Sequence, residues 1–108
     1  MMRPHVKDFL NSYVQLFETL DIDIDSLVLF GSQAKGAAKI SSDIDIAVVM
    51  KENLSPQERG TLRGLGDEID MRMRVNLFFT TPAALATAAH VFDTNKYIRD
   101  EGVVLWPQ

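Results

Sequence analysis

The chain has 108 residues, 46% of them apolar and 24% charged, with a formal net charge of −4 and no cysteine. That composition suits one soluble globular domain over residues 1–108 and argues against a disordered chain or one that coats nucleic acid nonspecifically, which needs clustered Lys and Arg. Disulfides and thiolate metal sites are excluded, no apolar run approaches the ~20 residues of a bilayer span, and the start of the chain lacks a signal-peptide core, so a cytoplasmic protein with no membrane role is expected.

In chain order, Val6, Phe9, Leu10, Tyr13, Phe17 and Leu20 recur at helical spacing and predict an amphipathic helix over 5–20. Residues 26–30 (Ser-Leu-Val-Leu-Phe) read as a short buried strand ended by Gly31. Residues 32–41 are small and polar, a loop or a short helical turn. Ile44–Met50 is an apolar, β-branched run and reads as a second strand.

Ser55-Pro56-Gln57-Glu58 is a helix start, with Ser as cap, Pro at the first helical position and Glu58 placed for a capping box. That helix should run to about Asp70, weakened by Gly60, Gly64 and Gly66. From Met71 to Thr80 the pattern alternates, which puts Met71, Met73, Val75, Leu77 and Phe79 on one face and Arg72, Arg74, Asn76 and Phe78 on the other. Thr81-Pro82 opens another helix to about His90, whose Ala83–Ala89 side could serve a subunit contact in a homo-oligomer. Thr94–Glu101 reads as a last short helix stopped by Gly102, and 103–106 as a small edge strand. The expected fold is α+β, or a two-layer α/β arrangement, with a small mixed sheet and helices packed on one face.

The chemistry concentrates between residues 31 and 45. Gly31 permits a turn that brings main-chain N–H groups close to a ligand, Ser32 adds a hydroxyl, and successive N–H groups in such a turn form an anion nest. Gly36 supplies a second permissive point, and Lys35 and Lys39 bring positive charge. On a strand, Asp43 and Asp45 share a face, roughly 7 Å apart at the backbone, while Ile44 and Ile46 point into the core. Two such carboxylates repel unless a cation lies between them. Mg²⁺ is commonly held by one or two carboxylates plus substrate phosphates, and a two-metal site with ions ~3.5–4 Å apart serves phosphoryl or nucleotidyl transfer.

Phe30-Gly31-Ser32-Gln33-Ala34-Lys35-Gly36, a spacer, and then Ser42-Asp43-Ile44-Asp45-Ile46-Ala47-Val48-Val49 resemble the central motif of the nucleotidyltransferase superfamily related to DNA polymerase β. Within it the likeness is to the minimal nucleotidyltransferases, often the antitoxin halves of two-gene modules, and Glu101–Trp106 is similar to the end of many members. The resemblance implies a nucleotidyltransferase-like fold that binds a nucleoside triphosphate, ATP by preference, with Mg²⁺. Gly31, Ser32, Lys35, Gly36 and Ser42 would cradle the nucleotide and its phosphates, and Asp43 and Asp45 would hold the metals. It also implies transfer of a nucleoside monophosphate, AMP by preference, to a hydroxyl on a protein or RNA, and a small helical HEPN-type partner.

The family motif has a third acidic residue on a later strand, and Asn76 of Arg74-Val75-Asn76-Leu77-Phe78 occupies that position here. An amide oxygen can ligate Mg²⁺, but it brings no charge and cannot act as a base. A weakened metal site is therefore expected, and the alternative to an enzyme is a catalytically impaired binding subunit or antitoxin. Glu68 and Asp70 are the nearby acids, with nothing in the spacing to aim them inward. Arg72 and Arg74 are expected beside Asn76, either on phosphates or neutralising the aspartates. The acidic alternation Asp21–Asp25 reads as a solvated connection, and His5 and His90 lack metal-ligand spacing.

Overall fold

A computed structural model describes residues 4–35 and 43–107. Its elements are α1 (Pro4–Glu18), β1 (Ile24–Phe30), α2 (Gly31–Lys35), β2 (Ile44–Met50), α3 (Pro56–Ile69), β3 (Val75–Thr80), α4 (Pro82–Thr87), α5 (Thr94–Glu101) and β4 (Val103–Trp106). The strands form one mixed sheet in the order β3-β2-β1-β4 among the described residues. β1 runs antiparallel to both β2 and β4, whereas β2 and β3 are parallel. A parallel pair needs a long crossover, and α3 supplies it. The small mixed sheet of an α+β fold is what the sequence leads one to expect.

Strand alternation separates two cores. Leu27, Leu29, Ile44, Ile46 and Val48 face one side, where Val6, Phe9, Leu10, Tyr13 and Phe17 of α1 and Leu62 and Leu65 of α3 close over them. The Tyr13 hydroxyl, fully buried, donates to the Leu62 carbonyl at 3.2 Å and ties the two helices together. The other side carries Val28, Ala47 and Val49, covered by Ile98 of α5 with Leu85 of α4 against the same cluster. The two long helices thus lie on one face as anticipated, but α4 and α5 take the other. β1 and β2 are apolar at both parities, and strands buried on both faces need cover on both.

Local rules explain most boundaries. Ser55 accepts from the Glu58 N–H at 3.1 Å while its own N–H donates to Glu58 Oε1 at 3.0 Å, so the capping box forms. Thr81 caps α4 by accepting from the Ala84 N–H at 3.2 Å. That helix stops at Thr87 rather than near His90, because Arg99 of α5 donates to the carbonyls of Leu85 and Ala88 at 2.9 and 2.8 Å. Carbonyls left open at a helix end need partners, and a guanidinium from the next helix provides them.

The strand expected from Met71 begins only at Val75. The Asp70 carboxylate takes the Arg72 N–H at 2.9 Å and the Arg72 guanidinium at 3.0 Å, which holds 70–73 in a turn. Arg72 therefore does not share the face of Asn76. It is turned outward, 90% exposed, paired with an acid that its hydrogen bonds hold below the usual carboxylate range. No helix among the described residues is long and apolar enough to cross a membrane.

Candidate active site

Register brings three separated segments into one row. The antiparallel pairing of β1 with β2 sets Phe30 opposite Asp45, so Gly31, the next residue, arrives beside the Asp45 carboxylate. The parallel pairing of β2 with β3 sets Asp45 opposite Asn76. The order across the sheet is then Gly31, Asp45, Asn76, with Asp43 one step before β2 begins.

Gly31 has φ +75°, the left-handed region that L side chains rarely adopt, and it is the one such position among the described residues. A Cβ there would also collide with the Asp45 carboxylate, whose Cγ would lie 3.3 Å away. Glycine is thus required twice, by the turn and by the acid packed on it. The turn opens α2, where Ser32 is exposed, Gln33 is 2% exposed, and Lys35 points its ammonium over the Tyr97 ring of α5 at 5.0 Å. Gly36, Lys39 and Ser42, expected to complete the phosphate cradle, lie outside the described residues.

Asp43 and Asp45 share a face, while Ile44 and Ile46 are fully buried on the opposite one. Asn76 shows that both carboxylates point the same way. Its Nδ2 donates to Asp43 Oδ2 at 2.9 Å and to Asp45 Oδ1 at 3.3 Å, one amide spanning both acids. The third position of the motif is therefore brought to the pair, and there it serves as a donor. Asp70 is engaged by Arg72, and no three His, Asp or Glu side chains converge as a metal-binding group among the described residues. The donor set still fits one hard cation, because two carboxylates with substrate phosphates are the common way to hold Mg²⁺. It falls short of the all-carboxylate set that a pair of such ions prefers.

Beyond Asn76 the acids open into a polar cleft of about 440 Å³ between the end of α3 and the start of β3, lined by Arg63, Asp67 and Arg74 together with Asp43 and Asn76. Arg74 reaches the site neighbourhood as anticipated. Arg63 and Asp67 were not anticipated, although with Gly66 they fall on one face of α3 at i, i+3, i+4 spacing. Gly66 lies in contact distance of Val75, next to Asn76. Buried Gln33 carried no such signal. A larger hollow of about 520 Å³ lies between the start of α1 and the end of α3, lined by His5, Asp8 and Arg72, but none of the motif residues borders it. Volume is a poorer guide here than register. The Asp21–Asp25 alternation is only partly the solvated connection expected: Asp21, Asp23 and Asp25 are exposed, with Asp23 paired to Lys51 at 3.1 Å, but β1 already begins at Ile24, which is buried in the core opposite Met50.

Comparison with known proteins identifies the family and the fold. The family model for polymerase β-type nucleotidyltransferases matches residues 11–101. Among solved structures, a toxin–antitoxin crystallised with AMP-PNP superposes with a TM-score of 0.66 at 27% identity, covering 92% of this chain and 73% of that one. A mutant of an MntA toxin–antitoxin complex gives 0.65 at 25% identity, with the same coverage. The MntA–HepT toxin–antitoxin structure gives 0.60 at 24% identity, over 94% and 73% of the two chains, and supports the fold alone. No curated protein sequence matches the chain. The chain belongs to the polymerase β-type nucleotidyltransferase family.

Proposed function

We propose that the chain, as a single domain over residues 1–108, binds a nucleoside triphosphate with Mg²⁺ and transfers its nucleoside monophosphate to a hydroxyl on a protein or RNA acceptor. The observation that carries this reading is the row of Gly31, Asp45 and Asn76 with Asp43 on the same side. It sets a left-handed glycine turn against two co-facing carboxylates. ATP is the preferred donor, by analogy with the AMP-PNP complex among the structural neighbours.

In this reading the turn at Gly31 and Ser32 presents main-chain N–H groups to the phosphates, with Lys35, Gly36 and Ser42 adding contacts from the flanking segment. Asp43 and Asp45 would hold Mg²⁺ together with those phosphates. A bound divalent cation supplies charge neutralisation and polarises phosphoryl oxygens. The acceptor oxygen forms a bond to the α-phosphorus as the α–β anhydride bond breaks, pyrophosphate leaves, and the hydroxyl proton passes to solvent. The chain's own contribution is positioning, and it holds donor phosphates on the β1 side of the acids while leaving the β3 side open.

The biological setting that we infer is the antitoxin half of a cytoplasmic two-gene module with a small helical HEPN-type partner; the toxin–antitoxin neighbours support a partner protein and not its type. A second reading is favoured by Asn76, which bonds both aspartates and cannot serve as a base: nucleotide and partner are bound, but transfer is lost.

Incubation with ATP labelled at the α-phosphate, Mg²⁺ or Mn²⁺, and the product of the neighbouring gene separates the two. Transfer of label that disappears in Asp43→Asn supports the enzyme. Binding of Mg-ATP by calorimetry without transfer supports the binding subunit. Failure to bind Mg-ATP overturns both.

A further inference from the structure

Lys35 brings a positive charge to the end of the glycine turn, and no acid holds it. Its ammonium makes no ion pair with a carboxylate among the described residues and rests over the Tyr97 ring, 5.0 Å from the centroid. Tyr97 is half-buried on α5, and its hydroxyl bonds to nothing among the described residues, so the ring face is what this side chain offers. An aromatic face attracts an ammonium without neutralising it.

Placement gives the contact its meaning. Along β2, Asp45, Ala47 and Val49 alternate onto one face, where Ala47 and Val49 pack with Ile98, the residue after Tyr97. Helix α5 therefore covers the face of the sheet from which Asp45 projects. Lys35 ends α2, about 6 Å of helix rise beyond Gly31, and Gly31 packs on the Asp45 carboxylate. The fold thus carries a long, flexible ammonium close to two like-charged acids. Such a pair attracts a lysine, and one lodged between them would take the place of a divalent cation. Instead the neutral Asn76 amide spans the acids, and the ring of Tyr97 takes the lysine.

We propose that Tyr97 is a positioning residue that acts through Lys35. Its ring holds the ammonium clear of Asp43 and Asp45, which leaves the acids to Mg²⁺, and keeps it charged and ready for the triphosphate of the donor. The second half rests on the nucleotide-binding reading of the site. Release to the ligand is downhill, because an exposed cation–π contact is weak and an ammonium–phosphate hydrogen bond is charge-assisted on both sides.

The test combines calorimetry of Mg-ATP, Mg-tripolyphosphate and Mn²⁺ alone with proton–carbon NMR of the lysine ε-methylenes, assigned through Lys35→Gln. In the parent, the ring current of Tyr97 should shift the Lys35 ε-methylene upfield. Tyr97→Phe keeps the ring and should keep that shift and all three affinities. Tyr97→Leu keeps the apolar bulk, but it should abolish the shift and weaken each ligand about two- to fivefold, the weight of an exposed cation–π contact. In a chain already carrying Lys35→Gln, Tyr97→Leu should have no further effect, and Mn²⁺ affinity should return to that of the parent. A loss that persists without Lys35 overturns the proposal, since Tyr97 would then act through the fold. Weakened ATP with tripolyphosphate unmoved also overturns it, because the ring would then be stacking on the base. Absence of the upfield shift in the parent overturns it outright. A parent that binds neither Mg-ATP nor tripolyphosphate would sink the nucleotidyl-transfer reading, while the ring shift and the Mn²⁺ measurements would still decide whether Tyr97 holds Lys35 off the acids.

Discussion

Asn76 donates one amide group to Asp43 at 2.9 Å and reaches Asp45 at 3.3 Å from the same nitrogen, so the residue that departs from the family pattern is also the one that joins its two acids. A carboxylate at that position would repel both. The amide lets the pair sit together without a cation, at the cost of competing with one.

Asn76→Asp should therefore exchange stability of the free protein for metal affinity. Removing a donor to exposed carboxylates and adding a third negative charge should lower stability by about 1 kcal/mol. Mn²⁺ should then raise the melting temperature of the variant more than that of the parent, and Mg-ATP should bind at least tenfold more tightly. Thermal unfolding with and without Mn²⁺ measures both signs at once. Equal responses of parent and variant would mean that residue 76 does not face the cation.

Gly31→Ala should be the most damaging small substitution near the site. A left-handed backbone costs an L residue roughly 1–2 kcal/mol, and the new Cβ would run into the Asp45 carboxylate. Urea unfolding should show a loss of at least that size, accompanied by loss of Mg-ATP binding because Asp45 has to move. Ser32→Ala, at an exposed position, should leave stability within ~0.5 kcal/mol and isolates the binding contribution.

Tyr13 offers a pH signature. Its hydroxyl is buried, and burial pushes its pKa well above the ordinary tyrosine value. The folded state thus favours the neutral form. This preference contributes nothing extra below pH ~10, the unfolded value. Above it the unfolded chain sheds its proton first, so stability falls as pH rises. Tyr13→Phe should cost about 1 kcal/mol at pH 8 by leaving the Leu62 carbonyl without its donor. The gap between the two proteins should narrow between pH 10 and 11, as urea midpoints at each pH would show.

Much of this was legible in the residues. Period 3.6 in α1, the Ser55–Glu58 box and the β-branched run of β2 act locally, and each leaves its mark in a short window. Two features were not. The turn at 70–73 depends on Asp70 capturing Arg72, which the alternation of Met71, Arg72, Met73 and Arg74 masks as a strand. The early end of α4 depends on Arg99, more than ten residues away. At the site, the Gly-Ser turn and the Asp43/Asp45 pair could be read directly. The Asn76 bridge and the Arg63 and Asp67 wall required the β2–β3 register and the packing of α3 on β3.

The glycines of α3 give a last test of that packing. Gly60 and Gly64 face open space, with nothing within 4 Å of where a Cβ would stand, so each lowers helix propensity without compensation. Gly60→Ala and Gly64→Ala should each stabilise the protein by about 0.5–1 kcal/mol. Gly66 differs, because a Cβ there would meet Val75 Cγ2 at 3.0 Å and Phe9 Cζ at 3.4 Å. Val75 starts β3 and precedes Asn76, so any retreat of the strand would carry the amide away from the acids. Gly66→Ala should gain nothing in stability, and it should weaken Mg-ATP binding, while the other two substitutions leave that binding unchanged. Stabilisation by all three to the same degree would show that β3 is free to yield and that α3 does not hold Asn76 in register.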